Sequence, residues 1–130
     1  MTAVDTNILV RFLTRDDEAQ FNKAVALLTR EPVFIPDTVW LETEWVLRYA
    51  YGFESTAVTN AFRDLLGLPN VTVEAPNRLL LAIEWHGAGL DFADALHLAG
   101  SQEADTFATF DKDLVRDAAT LGRCRVTEPQ

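Results

Sequence analysis

Cysteine occurs once in the chain, as Cys124, and histidine twice, as His86 and His97. One thiol excludes an internal disulfide and any multi-cysteine metal centre. Two histidines are too few for a zinc site of the usual His/Cys kind. Cys124 therefore reads as a small apolar residue. Basic residues are also scarce, with 11 Lys and Arg against 20 Asp and Glu and a formal net charge of −9. That balance argues against nucleic-acid binding by bulk attraction, and against attachment to an anionic membrane surface. The longest apolar stretches, such as Leu79–Ile83, fall far short of the roughly 20 residues that cross a bilayer. The opening MTAVDTNILVRFL lacks the basic segment and long apolar run of a signal peptide, so a cytoplasmic protein is expected. Nucleophile-elbow (G-x-S-x-G), Walker A, G-x-G-x-x-G and calcium-loop patterns are all missing. No repeat or linker-like tract breaks the 130 residues, of which 48% are hydrophobic. One domain over 1–130 is expected, large enough to bury a core.

What is present is an alternation. Short β-branched or aromatic runs predict strands at Thr2–Val4, Val33–Ile35, Val71–Val73, Thr106–Phe110 and Arg125–Thr127. Between them the pattern predicts helices at Ile8–Leu13, Asp17–Thr29, Asp37 or Thr38 to Tyr51, Ser55–Leu66, Asn77–His86, Phe92–Gln102 and Lys112–Thr120, with Gly and Pro as stops. Strands alternating with helices indicate an α/β fold, with helices on both faces of a mainly parallel sheet. In such sheets, sites form where strands end and helices begin.

That rule singles out certain acids. Asp5 follows the first strand, and its neighbours Ala3, Val4, Ile8 and Leu9 suggest a buried setting. Thr6 or Asn7 can cap the next helix as well as Asp5 can. Glu42 lies in DTVWLETEWVLRYAYG with Thr38, Val39, Trp45 and Val46 at helical spacing, so it reads as an unpaired acid on an apolar stripe. Glu44 has Arg48 four residues on and reads as an ordinary surface pair. Asp94, in GLDFADALHLAG, stands three residues after Asp91, a capping-box spacing that also suits a site at a helix start. Asp111 follows TFATF as Asp5 follows the first strand, and Asp113 comes two residues later. His97, three residues after Asp94, reads first as a partly buried helix histidine. If these acids converge, their mutual repulsion requires a divalent cation. All-oxygen ligands select Mg²⁺ or Mn²⁺, and such an ion suits phosphate chemistry.

The segments MTAVDTNILVRFL, the Glu42 helix, DFADALHLA and ATFDKDL, in that order and spacing, resemble the PIN domain. More narrowly, they are similar to the VapC toxins of bacterial toxin–antitoxin pairs. The resemblance implies a three-layer α/β/α fold and a Mg²⁺- or Mn²⁺-dependent endoribonuclease that hydrolyses phosphodiester bonds. It also implies a cognate VapB-like antitoxin, a homodimer, and RNA, transfer RNA among the options, as substrate. By matching motif, Asp5, Glu42, Asp94 and Asp111 are the catalytic and metal-holding acids, with Asp113 as an alternative or assistant to Asp111. Thr6 and Asp91 support the pocket. Because the net charge is negative, RNA must meet local cations, for which Arg11, Arg15, Lys112 and Arg116 are candidates that also read as plain helix surface. Rival readings stay open. A haloacid-dehalogenase-type phosphatase needs a second acid where Asn7 stands, a receiver domain needs an acidic neighbour for Asp5, and a non-catalytic module would bind RNA or a partner without cutting.

Overall fold

A computed structural model describes residues 1–130. The chain forms two compact units, Met1–Pro76 and Asn77–Gln130.

In the first unit, Val33, Phe34 and Ile35 form strand β2 (Val33–Ile35), the middle of a three-stranded sheet. β1 (Thr2–Ala3) and β3 (Val71–Val73) pair with it on either side, both parallel, with Thr2 opposite Val33 and Ile35 opposite Val73. Branched side chains favour this pleated, buried position, and Val33 and Ile35 are fully buried. Helices α1 (Thr6–Thr14) and α2 (Glu18–Arg30) connect β1 to β2, and α3 (Asp37–Tyr51) and α4 (Ser55–Leu66) connect β2 to β3. Leu9, Leu28, Trp40, Leu47, Phe62 and Leu65 are buried, and Trp40 meets Phe62 edge-on at 4.9 Å between ring centres.

Pro36, not Asp37 or Thr38, is the N-cap of α3, and it makes no side-chain cap bond. Its ring holds φ at −64°, already suited to a helix entry, so Asp37 becomes the first helical residue. Gly52 ends α3 at φ 71°, as its position after Tyr51 predicts.

In the second unit, α5 (Pro76–Gly87) and α6 (Phe92–Ala99) precede β4 (Thr106–Ala108), and α7 (Lys112–Asp117) leads to β5 (Arg125–Thr127). β4 and β5 are parallel, with Phe107 opposite Val126. Leu79, Ile83, Phe92, Leu98, Leu114, Cys124 and Val126 are buried, which bears out the apolar reading of Cys124. His86 is buried as well; its Nδ1 lies 2.7 Å from the carbonyl oxygen of Leu90. Every strand pair is thus parallel and helices link the strands, as the alternation predicts.

Four elements are shorter than expected, the first being β1, which ends at Ala3 rather than Val4. α6 stops at Ala99 rather than Gln102: Gly100 is its C-cap, and the next amide, of Ser101, bonds the Leu98 carbonyl only three residues back. β4 ends at Ala108 and α7 at Asp117.

Candidate active site

Asp5 sits at the junction from β1 into α1, where it is the N-cap and its Oδ1 accepts the backbone N–H of Ile8 at 3.3 Å. The sequence suggested a buried acid not needed as a cap. Instead Asp5 is exposed and does cap, because its extended backbone aims the carboxylate back at the free amides of the first turn. Its Oδ2 remains uncommitted.

Glu42 lies in the second turn of α3, and its Oε1 accepts the hydroxyl hydrogen of Thr6. Thr6 is buried at the start of α1, so its hydroxyl ties the Glu42 carboxylate of α3 to the start of α1. Burial corrects the sequence reading of this helix. Glu42 is exposed and Glu44 is buried, at 1% of its full exposure. Arg48 meets Glu44 at 2.8 Å and is itself half-buried. Trp45, which made the Glu42 side look apolar, is 55% exposed. Periodicity shows which residues share a face, and here both faces carry aromatic residues.

In the second unit Asp91 is the N-cap of α6, and its side chain accepts the backbone N–H of Asp94 at 3.2 Å. Asp94 follows in the first turn, half-buried, and its carboxylate accepts no hydrogen bond. Burial pushes its carboxyl above the usual aspartate range, the charges of Asp91 and Asp111 push it further, and His97 opposes them. Asp91, Asp94 and Asp111 therefore lie within electrostatic reach of one another, with His97 beside them. Asp111 caps α7: its Oδ1 accepts the backbone N–H groups of Asp113 at 3.0 Å and Leu114 at 3.2 Å. That leaves Oδ2 uncommitted. Asp113 points outward to Arg116 at 3.2 Å and is exposed. Of the two, Asp111 holds the strand-to-helix position.

Each unit thus supplies acids at strand-to-helix junctions or joined to one. Within neither unit do three or more His, Cys, Asp or Glu side chains form a ready-made metal cage. The donor chemistry still fits a hard cation. These acids offer carboxylate oxygens, and Asp5 and Glu42 in the first unit and Asp94 and Asp111 in the second each keep at least one of them free.

Three of the four candidate RNA-contacting cations are engaged. Arg11 meets Asp16 at 2.9 Å, Arg15 meets Glu18 at 2.9 Å, and Arg116 meets Asp113 and Asp117. Lys112 is exposed and makes no ion pair. Lys23 is also unpaired, and it lines a cleft of about 410 Å³ that contains Asp5. The sequence reading missed it, because nothing in the local sequence distinguishes a cleft lysine from a surface one.

The sequence matches the PIN domain over residues 2–119, a span that crosses both units and includes all four acids. The chain belongs to the PIN domain family. As a PIN domain it has the family's α/β architecture with parallel strands. Among solved structures it is similar to Mycobacterium tuberculosis VapC20, described as a sarcin-ricin loop cleaving toxin. The two are 24% identical over 96% of this chain and 99% of that one, with a TM-score of 0.45. No curated protein is significantly similar to this PIN domain. None of its helices is long and apolar enough to cross a membrane.

Proposed function

We propose that this PIN domain is a metal-dependent endoribonuclease and the toxin of a toxin–antitoxin pair, its two compact units working as one domain. One observation carries the reading. Asp94, in a chain of the PIN family, holds a half-buried carboxylate with no hydrogen bond, set against Asp91 and Asp111. A cation bound among these carboxylates would offset their mutual repulsion and use the oxygens of Asp94 that no hydrogen bond occupies.

Asp5, Glu42, Asp94 and Asp111 would hold Mg²⁺ or Mn²⁺. When bound, the ion neutralises charge on the phosphodiester and makes water acidic enough to attack at neutral pH. The chain's own residues prepare that chemistry. Thr6 orients Glu42 through its hydroxyl. The α1 and α7 amides fix one oxygen each of Asp5 and Asp111, leaving the other oxygen without a hydrogen bond. Asp91 sets the first turn of α6 and so the position of Asp94. Attack by water on phosphorus, with the bond to the 3′ oxygen breaking and that oxygen taking up a proton, leaves 5′-phosphate and 3′-hydroxyl ends. Attack by the ribose 2′-hydroxyl would need acid–base groups such as paired histidines, but His86 is buried against Leu90 while His97 is exposed on α6.

The partner chemistry follows from the same acids. A basic antitoxin segment can enter the site with an Arg that satisfies carboxylates much as a metal does. We further propose a homodimer in the cytoplasm, a VapB-like antitoxin, and structured RNA such as transfer RNA as substrate. The deciding experiment incubates purified protein with RNA and Mn²⁺ and analyses the new ends. Expected are 5′-phosphates, and loss of both cleavage and growth toxicity in Asp5→Ala with antitoxin binding kept. Cyclic phosphate ends would refute the hydrolytic mechanism. RNA binding without any cleavage would favour the non-catalytic module.

A further inference from the structure

The cleft between α1 and α2 has a composition that the acids do not explain. Asp5, Asn7 and Arg11 line it from the α1 side, and Gln20 and Lys23 from α2, over a floor that includes the buried Ala24. Its polar groups are mostly unused donors. Lys23 is exposed, with no ion pair and no hydrogen bond, and neither does the Asn7 amide make one. Gln20 accepts the Arg11 Nε–H at 2.6 Å through Oε1, which turns its amide N–H groups away from Arg11. Arg11 itself is pinned by Asp16 at 2.9 Å, with the Tyr51 hydroxyl also in reach at 3.4 Å. It shapes the wall, while its charge is largely answered by Asp16. Lys23 is the uncompensated cation of the cleft, and Asp5 is its one carboxylate.

A donor-rich cleft with one free cation suits a phosphate oxygen, and the presence of Asp5 places that phosphate beside the candidate site. We infer that this cleft seats a backbone phosphate of the RNA flanking the bond that is cut, with Lys23 as its charge partner and Asn7 and Gln20 as hydrogen-bond donors. The inference rests on the proposed ribonuclease reading and specifies how an acidic protein holds a polyanion there. Lys23 then acts in binding: it contacts a phosphodiester that does not react.

The test compares wild type, Lys23→Met and Lys23→Arg on a short single-stranded RNA cleaved at one site, with Mn²⁺ present. Removal of one phosphate contact is expected to raise KM about tenfold, leave kcat within about twofold, and reduce the slope of log KM against log salt by about 0.7. Lys23→Arg is expected to restore most of the loss. A substrate carrying one uncharged methylphosphonate at the flanking phosphate is expected to reproduce the wild-type loss and add nothing to that of Lys23→Met. Unchanged KM and salt slope in Lys23→Met would overturn the inference, as would an additive effect of the methylphosphonate. Should the wild type cut nothing, fluorescence anisotropy with the same RNA still decides the point. Weaker binding by Lys23→Met supports the cleft while the nuclease reading falls, and equal binding overturns the cleft. If Lys23→Met weakens only the association with an acidic protein partner and leaves RNA binding intact, the cleft is a protein-docking site and the inference fails.

Discussion

Replacing Asp94 by Asn separates what the acid cluster costs the fold from what it does. Burial first, then Asp91 and Asp111, raise the Asp94 carboxyl above its ordinary value. The folded protein therefore holds this proton more tightly than the unfolded chain does. Stability falls as pH climbs from the unfolded pKa, about 3.9, to the higher folded one, and the whole penalty persists above that. At neutral pH the amide removes it. Two like-charge contacts on a partly solvated surface cost about 0.5–1 kcal/mol together. Against this, a first-turn acid gains about 0.3–0.5 kcal/mol from the helix dipole. The expected balance in EDTA favours Asp94→Asn by about 0.3 kcal/mol, or roughly 1 °C in Tm for a chain of this size.

Magnesium reverses the order. At one hundred times its dissociation constant, a ligand that binds only the folded protein adds about 2.7 kcal/mol. Wild type should gain that and the variant little of it. The assay is thermal unfolding by far-UV circular dichroism, at pH 7, in EDTA and in excess Mg²⁺. A crossing of the two Tm values is expected. The reasoning is refuted if wild type is already the more stable protein in EDTA, or if Mg²⁺ raises both values equally. In EDTA the advantage of the variant should also vanish below about pH 3, where the aspartate is protonated in both states.

Three further outcomes are expected. Thr6→Val keeps the size of the side chain but removes the donor to Glu42; activity with Mn²⁺ should fall about tenfold, with the circular dichroism spectrum unchanged. Gln102→Ala loses bonds to the Leu98 carbonyl and to the Arg123 and Cys124 amides, which should cost about 2 kcal/mol by urea unfolding. Gly122→Ala, at φ +67° and with its new Cβ overlapping the Gln102 amide, should also be destabilising by about 1–2 kcal/mol, but less so in the Gln102→Ala background, a non-additivity measurable as a double-mutant cycle.

Local chemistry determined much of this protein. β2, β3, β5 and α4 stand where branched runs and glycine or proline stops place them, because strand and helix ends are set by residues a few positions apart. The acids Asp5, Asp91 and Asp111 were visible in the same way, each standing at a strand end or helix start, although that Asp5 caps α1 emerged only in the structure. The order and spacing of the segments that carry Asp5, Glu42, Asp94 and Asp111 were also enough to suggest the family, which the match over residues 2–119 shows. What required tertiary structure were the facts that depend on distant partners. Glu44 is buried and Glu42 is exposed because packing chose between two mixed faces of α3. The hydroxyl that holds Glu42 comes from Thr6, 36 residues away. Gln102 left its expected helix to fasten a turn around 21 residues further on. Lys23 became distinct from the other basic residues only when α1 and α2 met and placed it on the wall of a cleft shared with Asp5. Periodicity carries information over a few residues, whereas burial and hydrogen-bond partnership are decided by which segments the folded chain brings side by side.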